Sequence, residues 1–136
     1  MAVSKSNTQV TWSTSNSVSV SASSNSTSDS HAFDSTSVSA MVTMKADNGG
    51  TPASGDTVDF YLLYTTGDPD GGTATDEYDT VGHAMHVATL DTNSEDPARK
   101  TVEIPVSAKG FKVYAVNNSS GRAVTVSSEV YETKAS

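Results

Sequence analysis

Between residues 57 and 64 the chain reads Thr-Val-Asp-Phe-Tyr-Leu-Leu-Tyr, its longest apolar and aromatic run. Gly55-Asp56 precedes it and Gly67-Asp68-Pro69-Asp70-Gly71-Gly72 follows it. β-branched and aromatic residues between such Gly, Pro and Asp punctuation predict a strand. Side chains alternate along a strand, so Val58, Phe60, Leu62 and Tyr64 share one face. Tyr61 and Leu63 fall on the other, and two apolar faces predict a central strand covered on both sides.

The same period of two recurs on either side. In 35–46, Val38, Ala40, Val42 and Met44 alternate with Ser37, Ser39, Met41 and Thr43. Asn48-Gly49 is a strong turn signal, but residues 51–56 extend it into a loop, so the next strand need not be a tight hairpin partner. In 83–90, Met85 and Val87 oppose Ala84, Ala88 and Leu90. In 100–106, Val102, Ile104 and Val106 oppose Thr101 and Glu103; Pro105 has no amide to donate, so this strand lies at an edge or ends there. Phe111, Val113 and Ala115 oppose Lys112, Tyr114 and Val116, and Val124, Val126, Ser128 and Val130 line one face of 122–132. With the loop Asn117-Asn118-Ser119-Ser120-Gly121 between them, residues 112–125 read as a β-hairpin. No stretch carries a helical repeat. Thr92-x-x-Glu95 has the form of a capping box, but Pro97 follows without an apolar run, so it starts a single turn at best. The expectation is an all-β chain of about seven to eight strands, an antiparallel β-sandwich of jelly-roll or immunoglobulin-like type.

The first 34 residues stand apart. Ser, Thr and Asn dominate them, and taken alone they resemble a linker. Val10, Trp12, Val18 and Val20 are separated by even numbers of residues, however, as in a weak strand with one polar face. The chain therefore divides into an extended Ser/Thr-rich N-terminal arm or edge strand at 1–34 and a β-sandwich domain at 35–136. The arm docks either on its own domain or on a neighbouring subunit. Trp12, the lone Trp, either plugs the sandwich end or serves as an intermolecular anchor. The arm has little else to hold it, which favours the anchor and makes Val10, Trp12, Val18 and Val20 interface candidates. On that reading Trp12→Ala weakens attachment more than it lowers the melting temperature.

Composition narrows the classes. With 136 residues the chain is long enough for one domain with a core. Only 35% of it is hydrophobic, thin for that length, which points to a partner subunit, as in a homo-oligomer, or a flat two-layer build. The formal net charge of −8 argues against nucleic acid, whose phosphates need clustered Lys and Arg. It argues equally against docking on anionic membranes. No cysteine is present, which removes disulfides, thiolate catalysis and Cys-based zinc sites and suits a cytosolically assembled protein. Met1-Ala2-Val3-Ser4-Lys5 runs into polar residues with no apolar h-region, so no signal peptide is expected, and no run approaches a membrane span.

Few residues suggest chemistry. Asp68-x-Asp70 followed by Asp76-Glu77 offers hard oxygens at short spacing, as Ca²⁺ requires, but the pattern is not an EF-hand, and a solvated loop in an acidic protein is the preferred account of it. No other metal or cofactor site is expected. His83 and His86 point to opposite faces of a strand and cannot chelate one metal together. No Gly-x-Ser-x-Gly elbow occurs, Gly71-Gly72 lacks the Lys of a phosphate loop, and aromatics for stacking on sugar are few. The expectation is that the chain is not an enzyme.

The run from Gly55 through Tyr64, the Gly67-Asp68-Pro69-Asp70-Gly71 loop, and Phe111-Lys112-Val113-Tyr114-Ala115-Val116-Asn117-Asn118 before Gly121-Arg122 resemble small structural proteins of tailed-bacteriophage virions. The resemblance spans about residues 36–132 and carries no active-site motif. It implies a non-enzymatic β-sandwich or jelly-roll module of a virion. Such a module is commonly a capsid decoration or cement protein whose partners are the major capsid protein or other virion subunits. A head–tail connector, a tail or fibre component, and a carbohydrate- or receptor-binding module are the alternatives. Exposed aromatics on a concave face favour the carbohydrate reading; a flat apolar patch and a projecting arm favour decoration.

Overall fold

The computed structural model describes residues 2–72 and 75–135. Apart from a 3-10 turn at Val81–His83, its elements are strands. In chain order they are β1 (Val3–Gln9), β2 (Val18–Val20), β3 (Asn25–Thr27), β4 (His31–Ala32), β5 (Ser37–Asn48), β6 (Thr57–Gly67), β7 (Glu77–Tyr78), β8 (Met85–Asp91), β9 (Ala98–Ile104), β10 (Gly110–Asn117) and β11 (Val124–Ala135). They form two antiparallel sheets. The first runs β1-β11-β5-β9, with β2 also on β11; the second runs β3-β10-β6-β7, with β4 on β10 and β8 on β6.

Several short strands lie in line along one edge. β1 pairs with residues 129–135 of β11 and β2 with residues 124–126, while β5 occupies the opposite edge of β11 over that span. β3 and β4 share one edge of β10 in the same way, and β7 and β8 share one edge of β6. The eleven segments therefore fill eight strand positions, four in each sheet. Along the chain, position one (β1/β2) pairs with eight (β11), two (β3/β4) with seven (β10), three (β5) with six (β9) and four (β6) with five (β8). That nested pairing is the jelly roll, which decides between the two sandwich types expected.

Two expectations change. β10 and β11 do not form a hairpin, because they belong to different sheets. Each is already bonded on both edges, β10 by β3/β4 and β6, β11 by β1/β2 and β5, and residues 118–123 cross between the layers. Nor does the fold mark a boundary at residue 34, since residues 3–32 supply the first two strand positions. Val10, Trp12 and Val20 are 3%, 2% and 2% exposed within the chain's own core, and Val18 packs against it. These four residues are thus core and core-flanking side chains here rather than a projecting interface. The reason is the hydrogen-bond ladder. A segment poor in apolar residues still carries one donor and one acceptor per residue, and β10 and β11 offer edges that must be paired.

Local features fix that segment in place. Trp12 and Ser15 exchange backbone bonds of 2.7 and 3.1 Å across a turn whose central residues, Ser13 and Thr14, have φ of 51° and 73°. Left-handed backbone at both central positions is the hairpin-type turn that matches strand twist. The Asp29 carboxylate accepts from Thr11 Oγ1 at 2.7 Å and from the Thr14 amide at 3.1 Å, clamping this turn from the β3–β4 connection. At Gly110 a Cβ would collide with the carbonyl oxygen of His31, so only glycine lets β4 approach β10.

The two inner faces meet in one core. The first sheet contributes Ala40, Val42, Met44 and Ala46 from β5 and Val124, Val126 and Val130 from β11. The second contributes Val58, Phe60 and Leu62 from β6 and Phe111, Val113 and Ala115 from β10. β6 is interior to its sheet, as its apolar run predicts, with Leu63 buried on the far side and Tyr61 only half-buried. β9 is an edge strand and ends at Ile104, immediately before Pro105.

Because Trp12 fills core volume, Trp12→Ala in the isolated protein should cost about 3–5 kcal/mol of folding stability, read as a shifted denaturant midpoint. An unchanged midpoint would remove Trp12 from the core.

Candidate functional site

The acidic loop begins with a turn in which the Gly71 amide donates to the Asp68 carbonyl at 3.1 Å, with Pro69 and Asp70 between them. It brings ligand oxygens of Asp68, Asp70 and Glu77 within 4.8 Å of one another. Asp76, the fourth residue of the expected set, is instead bonded to Lys109 Nζ at 2.7 Å. A hydrogen bond that the protonated Glu77 carboxyl donates to Asp68, followed by partial desolvation and the Asp68 charge, raises Glu77 above the usual range. Asp68, Asp70 and Glu77 are the residues that could hold a hard cation, three carboxylates against the six to eight oxygens that Ca²⁺ takes. An open cleft of about 330 Å³ adjoins them, lined by residues 64–67, 69 and 77–79. The Tyr64 hydroxyl, on a cleft-lining residue, is buried without a partner among the described residues.

A second cluster joins the two sheets at the other margin of the same end. His31 lies on β4 in the second sheet and Glu132 on β11 in the first, with His31 Nε2 3.1 Å from Glu132 Oε2. Their side chains are only 8% and 3% exposed. Glu132 Oε1 accepts from the Asp34 amide at 3.1 Å and from the Ser37 hydroxyl. The imidazole packs against Phe33 and Phe111 at centroid distances of 5.7 and 5.4 Å. Burial pushes the His31 imidazole below its ordinary value by more than Glu132 lifts it. Burial pushes Glu132 up, but the Ser37, Asp34 and His31 interactions outweigh it and hold the carboxyl low. A neutral imidazole therefore donates from Nε2 to a carboxylate, with the Lys134–Asp34 pair at 3.4 Å flanking them.

On the outer face of the second sheet, Tyr114, Tyr61 and His86 stand side by side in register on β10, β6 and β8. Asp59 on β6 accepts from Thr89 Oγ1 and, at 2.9 Å, from Asn118 Nδ2; Thr89 Oγ1 is also 2.8 Å from His86 Nε2. The single Thr89 proton goes to the carboxylate, so His86 Nε2 must be the donor to Thr89. That polarity is the reverse of what activates a hydroxyl nucleophile, which needs an imidazole nitrogen free to accept. His83 lies apart from His86, in the 3-10 turn.

Sequence reasoning identified the acidic loop and missed the other two clusters. Their members are brought together by register, and His31 and Glu132 are 101 residues apart. One clue was available: Glu132 continues the inward parity of Val124, Val126, Ser128 and Val130, and a carboxylate on an apolar face requires a partner.

Both members of the buried pair have depressed folded values, so the stability they contribute is present above the ordinary values of 6.5 and 4.5 and is lost as pH falls. Folding stability, followed as the melting temperature, should decline as pH drops below 6.5, with a free-energy slope of at most about 1.4 kcal/mol per pH unit for the one histidine proton. His31→Gln, which keeps a donor to Glu132, should flatten the profile between 6.5 and 4.5. An equally steep profile in that variant would assign the acid sensitivity elsewhere.

No protein-family model matches the chain, and no curated protein sequence matches it. Among solved structures, one of infectious bursal disease virus, Gx strain, aligns over 97% of this chain at 14% identity and a TM-score of 0.49. A family GH115 4-O-methyl-α-glucuronidase aligns over 90% at 16% identity and 0.41, and FLHE over 99% at 11% identity and 0.40. The chain spans 32% of the length of the virus chain, 16% of the glucuronidase and 97% of FLHE. Likeness at this level carries no statement about function.

Proposed function

We propose that the chain is a non-enzymatic structural protein of a virion, of the decoration or cement kind, attached through the outer face of its first sheet. The observation that carries this reading is the exposed pair Met41 and Tyr131, 42% and 44% exposed and directly opposite each other on β5 and β11. Cross-strand neighbours about 5 Å apart act as one contact unit. Asn7 and Glu103 flank the pair in the same row, and Lys5, Lys45, Arg99 and Glu129 occupy the rows around it. An aromatic and a methionine inside a polar rim is the composition of a small protein–protein contact. The segment resemblance to virion proteins of tailed phages points the same way. So do the perturbed titratable groups His31 and Glu132, which are engaged in holding the sheets together.

The partner on this reading is a major capsid protein or another virion subunit, in the assembled particle. Repetition over a symmetric shell would multiply a small contact into firm attachment. With Trp12 buried and residues 3–32 paired into the two sheets, the reading puts the contact on the outer face of the first sheet, to which β1 contributes Lys5 and Asn7, rather than on a projecting arm.

Tyr131→Ala and Met41→Asp should leave the melting temperature within a few degrees and weaken co-sedimentation with stripped particles by about tenfold or more. Undiminished binding of both variants would sink this assignment.

A further inference from the structure

The ring row on the second sheet has a composition that the attachment reading does not use. Reading across the strands, the row is Thr27, Tyr114, Tyr61, His86, and the next row towards the 118–123 crossing is Asn25, Val116, Asp59, Thr89. Ring centroids are 5.9 Å apart for Tyr114–Tyr61 and 5.4 Å for Tyr61–His86, so the three rings form one continuous strip. The two rows are two residues apart along β3, β10 and β6, about 6.6 Å and close to the span of one sugar ring, and three apart along β8, where the register shifts.

The polar groups beside this strip are already oriented. Asn118 gives its two amide protons to Thr57 Oγ1 at 3.2 Å and Asp59 Oδ2 at 2.9 Å, which leaves its side-chain carbonyl as an acceptor. His86 spends Nε2 on Thr89, which leaves Nδ1 as an acceptor. Asp59 keeps about a quarter of its side chain exposed, with lone pairs beyond the two bonds it accepts. The rings offer apolar and π surface, and the carbonyl, imidazole nitrogen and carboxylate all accept. A ligand that fits has C–H faces for the rings and several hydroxyl donors at its edge.

We propose that this face binds neutral saccharides, with Tyr114 and Tyr61 packing against a sugar ring and Asp59, Asn118 and His86 accepting its hydroxyl protons. The Asp59 carboxylate and the net charge of −8 disfavour uronic and sulfated sugars. The inference does not rest on the attachment reading, because the two faces lie on opposite sides of the sandwich.

The test is titration calorimetry of the intact protein with cellohexaose, maltohexaose and chitohexaose, and with oligogalacturonate as the anionic comparison. At least one neutral oligosaccharide should bind at millimolar concentration or below, with oligogalacturonate markedly weaker. Tyr61→Leu, which keeps apolar bulk and removes the ring, and Asn118→Ala should each weaken binding about tenfold. Tyr131→Ala on the other sheet should leave the affinity unchanged while impairing particle attachment, so the two readings fail separately. Absence of binding by all three neutral oligosaccharides, binding that survives Tyr61→Leu, or equal affinity for oligogalacturonate overturns the proposal.

Discussion

β10 and β11 sit in the interior of their sheets, and an interior strand must have its backbone donors and acceptors met along two edges. For each of them one edge is met by a long, apolar strand, β6 or β5. The other is met by the Ser/Thr/Asn-rich stretch, which runs as β1 and β2 along β11 and then crosses to β10 as β3 and β4. Removing that stretch would leave two core strands as open edges, the arrangement that invites pairing between molecules. The polar segment is thus as integral to the sandwich as the apolar run at 57–64.

What could be read from the residues follows this distinction between side-chain and main-chain causes. β5, β6, β9, β10 and β11 each carry a two-residue alternation, and their inner faces are legible from it. Pro105 announced the end of β9. Which strand lies beside which depends on register and on where the chain crosses between layers, and neither leaves a local mark. Residues 112–125 show the difficulty: a turn-rich loop between two alternating runs has the same pattern whether the runs pair or face each other across a core. The Ser-rich stretch was opaque for a related reason, since what holds it is its backbone and three well-spaced apolar side chains, Val10, Trp12 and Val20. The acidic loop was legible because its residues are close in sequence; the His31–Glu132 pair and the Tyr114–Tyr61–His86 row were not.

The core itself is modest, and polar keys supplement it at both ends. At one end Glu132 gathers His31, the Asp34 amide and Ser37. At the other, Asn48 reaches Asp56 and Thr92 at 3.4 and 3.3 Å, and fully buried Asn117 donates to the carbonyls of Val20 and Arg122 at 3.0 and 2.9 Å. Satisfied networks of this kind fix one arrangement of the sheets, because any slip leaves a buried polar group unpaired. With the interior locked in this way, the two outer faces are free to differ, one with a Met–Tyr pair and the other with a strip of rings beside acceptors.

The antiparallel match of Val3 with Ala135 carries a consequence for biosynthesis. Strand 3–9 has no partner until residues 129–135 have left the ribosome, so the first sheet cannot be completed before β11 is made. Nested long-range pairing of this sort also makes for slow folding. For that interval the waiting segment is exposed to every other nascent chain. Serine, threonine and asparagine, which keep it hydrated and make it a poor seed for aggregation, suit a strand that is made long before the strand it pairs with.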